Sequence, residues 1–248
     1  MVEPHMAIAG YLRERREASR LTRSELARIA GVSEGLIQKL EQGTRPPTHT
    51  TLSALFEALN VPQMYRDYAN TVLQPELTTI AIEQSAPNAA EMRFLNGLPA
   101  PSCYLTALAL DLLAANEPFR QTFPGLEPGM NIIAYTLLDP RARVVLHNWE
   151  REAHILVQSF RHMAPGVTDP ARIEEIKREC ARSPDFERLW NTDIPPAEFD
   201  WRPMLIRPLE GGDWRAVHVR IWVGEEPHRG RWVYTLLPDP GEQAPLRP

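Results

Sequence analysis

Three groups of side chains in this sequence have types and spacings that invite chemistry. His147, Glu150 and His154 stand at i, i+3 and i+7, one face of a helix, and two imidazoles with a carboxylate suit a divalent metal. No fourth ligand stands near them, and the same spacing describes a solvated helix surface, so no metal site is expected. Asp111, Asp139 and Asp200 have no nucleophile beside them, and the sequence lacks GxSxG, a P-loop and a dinucleotide fingerprint. Catalytic residues and cofactors are therefore not expected either. Cys103 and Cys180 lie far apart without a CxxC pairing and read as free thiols of a reducing cytosol. The third group is cationic: Arg13, Arg15, Arg16, Arg20, Arg23 and Arg28 crowd one short stretch. Guanidinium groups so concentrated suit a polyanion.

The charge balance has to be split by position. The 248 residues carry a net −5, but residues 1–75 hold nine Lys and Arg against eight Asp and Glu, a net +1. The remainder holds 18 against 24, a net −6, which should repel phosphates. Affinity for nucleic acid must then come from placement, not bulk charge. With 43% hydrophobic and 24% charged residues, the chain fits one large or two modest globular domains. It has no apolar run of about 18 residues to span a membrane. Met1–Gly10 carries Glu3 but no Lys or Arg, unlike a secretory signal, so a cytoplasmic protein is expected.

The elements that would position these groups follow from periodicity and caps. Residues 7–18 read as a first helix. Thr22 with Glu25 three residues on forms a capping box that opens a second helix at Arg23, and Gly31 ends it. Ser33 caps a third helix reaching Gln42. Thr44–Thr50, with Pro46 and Pro47, must be a loop, and Thr50–Leu59 and Pro62–Val72 complete five helices. After a linker over 74–87, a helix is expected at Asn88–Asn96 and one or two buried strands at Tyr104–Ala115 around Asp111. Helices follow at Glu117–Thr122, Gly129–Leu138, Arg143–His162, Pro170–Arg182 and Pro184–Trp190. Strands are expected at Met204–Leu209, Trp214–Val223 and Arg231–Leu237. The middle one sets Trp214, Ala216, His218 and Arg220 against Val217, Val219, Ile221 and Val223. Two domains result: an all-α domain over 1–73, and an α+β domain over 88–240 whose antiparallel sheet has flanking helices. The tail 241–248 should be disordered.

Within LTRSELARIAGVSEGLIQKLEQG, small Ala27, turn-forming Gly31 and inward Ile37 and Leu40 have the separations that hold two short helices near a right angle. Leu12–Leu59 resembles the Xre/Cro/λ-repressor class of helix-turn-helix domains. That resemblance implies that the N-terminal half of the third helix enters the major groove of double-stranded DNA. It exposes Ser33, Glu34, Gly35, Gln38 and Lys39 there. Glu34 would accept from cytosine N4, Lys39 would donate to guanine O6 or N7, and Gly35 would let the backbone come close. Arg23 matches a position that contacts phosphate or a base edge, and Thr44 and Arg45 fit phosphate clamping. One such domain reads few base pairs, so a homodimer on a palindromic operator is expected.

The second domain is rich in helical aromatics: Phe119, Phe123, Tyr135, Trp149, Phe160, Phe186 and Trp190. Most must be core, yet such a set also suits the enclosure of an apolar pocket. The segments LLAANEPF, GMNIIAYTLLDPRAR, NWEREAHILVQSFR and RSPDFERLW resemble the ligand-binding domain of MmyB-like transcription regulators, from about Pro99 to Pro240. The resemblance implies a PAS-like fold and, in some members, a fatty-acid or other small lipophilic effector. Tyr135 stands where many members carry Arg, and Arg207–Gly212 lacks the usual His-Pro. Candidate ligand contacts are Asn116, Phe119, Asn131, Tyr135, Trp149, Phe160, Arg161 and Trp190. For Arg161, a ligand carboxylate and a structural ion pair with a neighbouring acid are both open. A second reading makes this domain a protein-interaction or dimerisation scaffold without a metabolite.

Overall fold

A computed structural model describes residues 4–63, 65, 66, 69, 86–165, 167–194, 203–223 and 231–239. The expected tail at 241–248, most of the linker at 74–87 and much of the fifth helix at Pro62–Val72 lie outside the described residues. The chain forms two compact units. The first is Met1–Thr79 with Ser159–Ile173 and Asp193–Asp200, and the second is Ile80–Gln158, Glu174–Thr192 and Trp201–Pro248.

In the first unit, α1 (Pro4–Ala18), α2 (Arg23–Ala30), α3 (Glu34–Glu41) and α4 (His49–Ala58) precede a helical stretch that includes Gln63, Tyr65, Arg66 and Ala69. Their apolar faces meet in one core of Ile8, Leu12, Leu26, Ile37, Leu52, Leu55 and Phe56, all buried. Both expected caps form. The Thr22 side chain accepts from Glu25 N while Glu25 reaches back, and Ser33 Oγ accepts from Leu36 N (3.2 Å). Gly31 turns the chain with φ +67°, a left-handed conformation that costs glycine little. The expected loop after α3 is shorter by its end, because Thr48 caps α4 by accepting from Thr51 N.

The second unit is built on a five-stranded antiparallel sheet in the order β2-β1-β5-β4-β3. Its strands are β1 (Ser102–Thr106), β2 (Leu112–Ala115), β3 (Met204–Ile206), β4 (Arg215–Val223) and β5 (Arg231–Pro238). Helix α5 (Ala89–Gly97) lays Leu95 and Met92 against Tyr104, Ala114 and Val233 on one sheet face. Then come α6 (Glu117–Thr122), α7 (Ile132–Leu138), α8 (Pro140–Val145), α9 (Trp149–Met163), α10 (Pro170–Cys180) and α11 (Phe186–Asn191). This is the α+β architecture expected of a PAS-like domain.

Buried strands stand on both sides of Asp111 as expected, and two other local expectations are corrected. Tyr104–Ala115 is a hairpin whose tip, Ala107–Leu110, is wholly buried, with Leu108 and Leu110 both at φ +61°. Arg143–His162 is not one helix. Leu146 bridges Ile206, His147 N donates to Leu205 O (3.0 Å) and Arg207 N donates to Val145 O (3.0 Å), so strand pairing interrupts it between α8 and α9. In β4 the inward-outward alternation fades along the strand, since Val217 is buried but Ile221 is exposed.

Candidate functional site

Helix α3 has two faces. Ile37, Leu40 and Glu41 are buried, while Ser33, Glu34, Gly35, Gln38 and Lys39 form a continuous exposed polar strip. A Cβ added at Gly35 would meet no atom of the chain, so its bare backbone is not a demand of the fold. Past α3, Thr44 Oγ1 donates to Lys39 O (3.1 Å), which fastens the turn, and Arg45 is exposed.

Arg23 is only partly available. Its Nε donates to Glu41 Oε2 (2.8 Å), and 39% of its side chain remains exposed. The sequence reading missed this partner. Glu41 is 1% exposed and also accepts from Arg16 Nε (2.6 Å) and Nη2 (3.1 Å). Burial alone would raise the Glu41 pKa, but hydrogen bonds from Arg16 and Arg23 outweigh it and hold the carboxyl below its usual range. Glu41 follows Ile37 and Leu40 on the inward side of α3, and that register was the signal that could have revealed it.

In the second unit two expected ligand contacts are occupied by the fold itself. Asn116 Oδ1 accepts from Ser102 N (2.9 Å) and Phe119 N (3.0 Å). Its Nδ2 donates to Leu98 O (3.1 Å) and Ala100 O (2.9 Å). Asn131 Nδ2 donates to Ala109 O (2.7 Å) and Asp111 Oδ1 (2.8 Å), and its Oδ1 accepts from Ile133 N (3.0 Å) and Ala134 N. The aromatic candidates are anchored as well. Phe119 packs on Phe123, Tyr135 donates its hydroxyl to Pro124 O (3.1 Å), and Trp149 Nε1 donates to Thr136 O (2.6 Å). Burial first, then Asp139, pushes the Tyr135 phenol up to about 12. Trp190 packs on Phe186, with the Lys177 ammonium 5.4 Å from its ring.

Of the eight candidates, Phe160 and Arg161 belong to the first unit and the other six to the second. There Arg161 Nη2 donates to Glu14 Oε2 (3.0 Å), the structural ion pair among the two readings. Residues not among the ligand candidates meet at the sheet. Cys103 and Tyr234 are register partners, and Glu152 acts on Tyr234 electrostatically. Burial raises the pKa of all three, with Arg151 (2.6 Å) partly countering it at Glu152.

His147 lies in the break before α9, so the expected helical His/Glu/His face does not form, and each of the three residues has another partner. His147 packs on Trp214, Glu150 pairs with Arg188 (2.6 Å), and His154 Nε2 donates to Thr192 O (2.7 Å). Among the described residues no group of His, Cys, Asp or Glu gathers as a metal cage, and both cysteines are free and buried. No described helix is long and apolar enough to cross a membrane.

A capped α2–turn–α3 pair with one polar strip, joined in sequence to an α+β sheet unit, defines a DNA-binding transcription regulator with a ligand-binding domain. Residues 7–68 match the helix-turn-helix domain family model. Residues 88–247 match the MmyB-like transcription regulator ligand binding domain, and the chain belongs to that family. No curated protein matches the chain.

Proposed function

We propose that the chain is a cytoplasmic, non-enzymatic homodimer that reads a palindromic operator and responds to a small lipophilic, fatty-acid-like effector. Its reading domain is 1–73 and its effector domain 88–240. Base edges meet Ser33, Glu34, Gly35, Gln38 and Lys39, with phosphates held by Arg23, Thr44 and Arg45. The observation that carries this reading is the exposed polar strip of α3, with open space at Gly35 and the opposite face buried. The effector would lie in the second unit among Phe119, Tyr135, Trp149 and Trp190, with Asn116 and Asn131 framing the site. Native mass spectrometry of the purified chain, followed by extraction, tests the effector. Bound mass in the lipid range supports sensing, and an empty, folded protein removes it.

One observation favours the scaffold reading of the second domain. Phe94 and Trp222 are 56% and 58% exposed, and protein interfaces are enriched in such aromatics. Pull-down with the Trp222→Ser chain as control separates the two readings.

A further inference from the structure

The first unit contains a segment that DNA reading does not explain. Ser159–Ile173 lies within the residues matched by the ligand-binding family, yet it is part of the compact unit that holds the helix-turn-helix. Phe160, Met163 and Ala164 are buried there. The His162 ring meets Tyr11 edge-on at 4.9 Å and Tyr65 at 6.0 Å, and those two tyrosines pack at 5.2 Å. Arg161 bonds Glu14, and His162 Nδ1 lies 3.8 Å from the same carboxylate oxygen. One residue further along α1, Arg15 approaches Asp193 at 3.4 Å.

The positions of α1 on either side of Glu14 and Arg15 hold α3. Arg13 Nη2 donates to the Glu41 carbonyl (2.6 Å), and Arg16 binds the Glu41 carboxylate that Arg23 shares. Helix α1 thus meets Arg161 and His162 through Glu14 and Tyr11, and meets Glu41 at the end of α3 through Arg13 and Arg16. Burial, helped by the charges of Arg161 and Arg15, draws the His162 pKa down to about 3. The ring is neutral at physiological pH and contributes by packing.

We infer that Arg161, His162 and Glu14 are positioning residues for DNA recognition: through α1 they set how α3 is seated in the reading unit. The inference rests on the reading that the second unit biases the first. The route is covalent, since Ser159–Met163 completes α9, whose residues Trp149–Gln158 belong to the second unit. A bound effector that favours one arrangement of α9 would then change groove affinity without touching DNA.

The test uses the full chain and a duplex selected by the wild-type protein from a random-sequence pool. Affinities are corrected for active fraction. Arg161→Glu and Glu14→Arg should each weaken binding roughly threefold to tenfold, and the double exchange should restore it. His162→Phe, which keeps an aromatic ring, should stay near wild type, whereas His162→Ala should not. Hydrogen exchange on the wild-type chain should slow at Phe160–Thr168 when the duplex binds. Wild-type affinity in both single charge variants, with unchanged exchange at those amides, overturns the inference. If coupling holds but delipidated and native protein bind the duplex equally, the sensing reading fails and the positioning role stands.

Discussion

Lys39 and Arg45 are both exposed cations near the end of α3, yet their expected roles differ. Replacing Lys39 by Ala should relax preference at one base pair and cost about 1–3 kcal/mol. Arg45→Ala should weaken all sequences about equally and flatten the salt dependence. Mobility shifts over a panel of single-base variants separate the two. Glu41 belongs to stability instead: Glu41→Ala leaves Arg16 without its buried partner and should cost about 3–5 kcal/mol in urea unfolding. Its folded pKa is depressed below the unfolded value near 4.5. The stabilisation is therefore complete above that value and is lost as pH falls through the lower, folded one. Thermal melts from neutral pH downward should show wild type losing stability in that acid window, and Glu41→Gln losing less. The exposed polar strip of α3 was legible because helical exposure follows from caps and period. The Arg16–Glu41–Arg23 contact was not, since it joins three helices whose packing no local pattern states.

At the scale of elements, caps were the most legible features. Thr22 with Glu25, Ser33 and the whole of α6 stand where the sequence placed them, because each depends on neighbours in the chain. The break between α8 and α9 depends on β3, some sixty residues away, and is invisible to periodicity. The buried hairpin tip was hidden for the same reason. Two leucines with positive φ cost about 1–3 kcal/mol each and persist only where surroundings hold them. Asn131 supplies part of that hold, so Asn131→Ala should lower stability by about 2–3 kcal/mol through the polar groups it leaves unpaired. Calorimetry on the full chain measures it. At Gly43, φ is +68° and an added Cβ would strike the Met6 thioether. The end of Met6 is flexible and can swing away, leaving backbone strain of about 1–2 kcal/mol as the expected cost of Gly43→Ala.

At the scale of the whole molecule, the proposed homodimer would bring two weakly basic reading heads to one operator. The fragment Met1–Val72 should sediment as a monomer and bind a selected duplex far more weakly than the full chain. Undiminished binding by a monomeric fragment would remove the dimer mechanism. The fragment should also melt below the first unit of the intact protein, because it lacks the buried Phe160 and Met163 and the His162 ring that packs on Tyr11. The two-part division was plain from the change in composition and motif along the chain. The return of Ser159–Ile173 to the first part was not, because Phe160 fits equally well in either core.

Cys103 and Cys180 are both fully buried in the second unit, and the first unit contains no cysteine at all. An alkylating reagent therefore reaches sulfur only when the second unit opens, and the rate of mass gain acts as a clock for that opening alone. Any molecule that binds there should slow the clock, while one that acts only on the reading head should leave it running at the same pace. The protein can thus be screened for effectors by intact-mass kinetics with no label, no reporter and no knowledge of its operator.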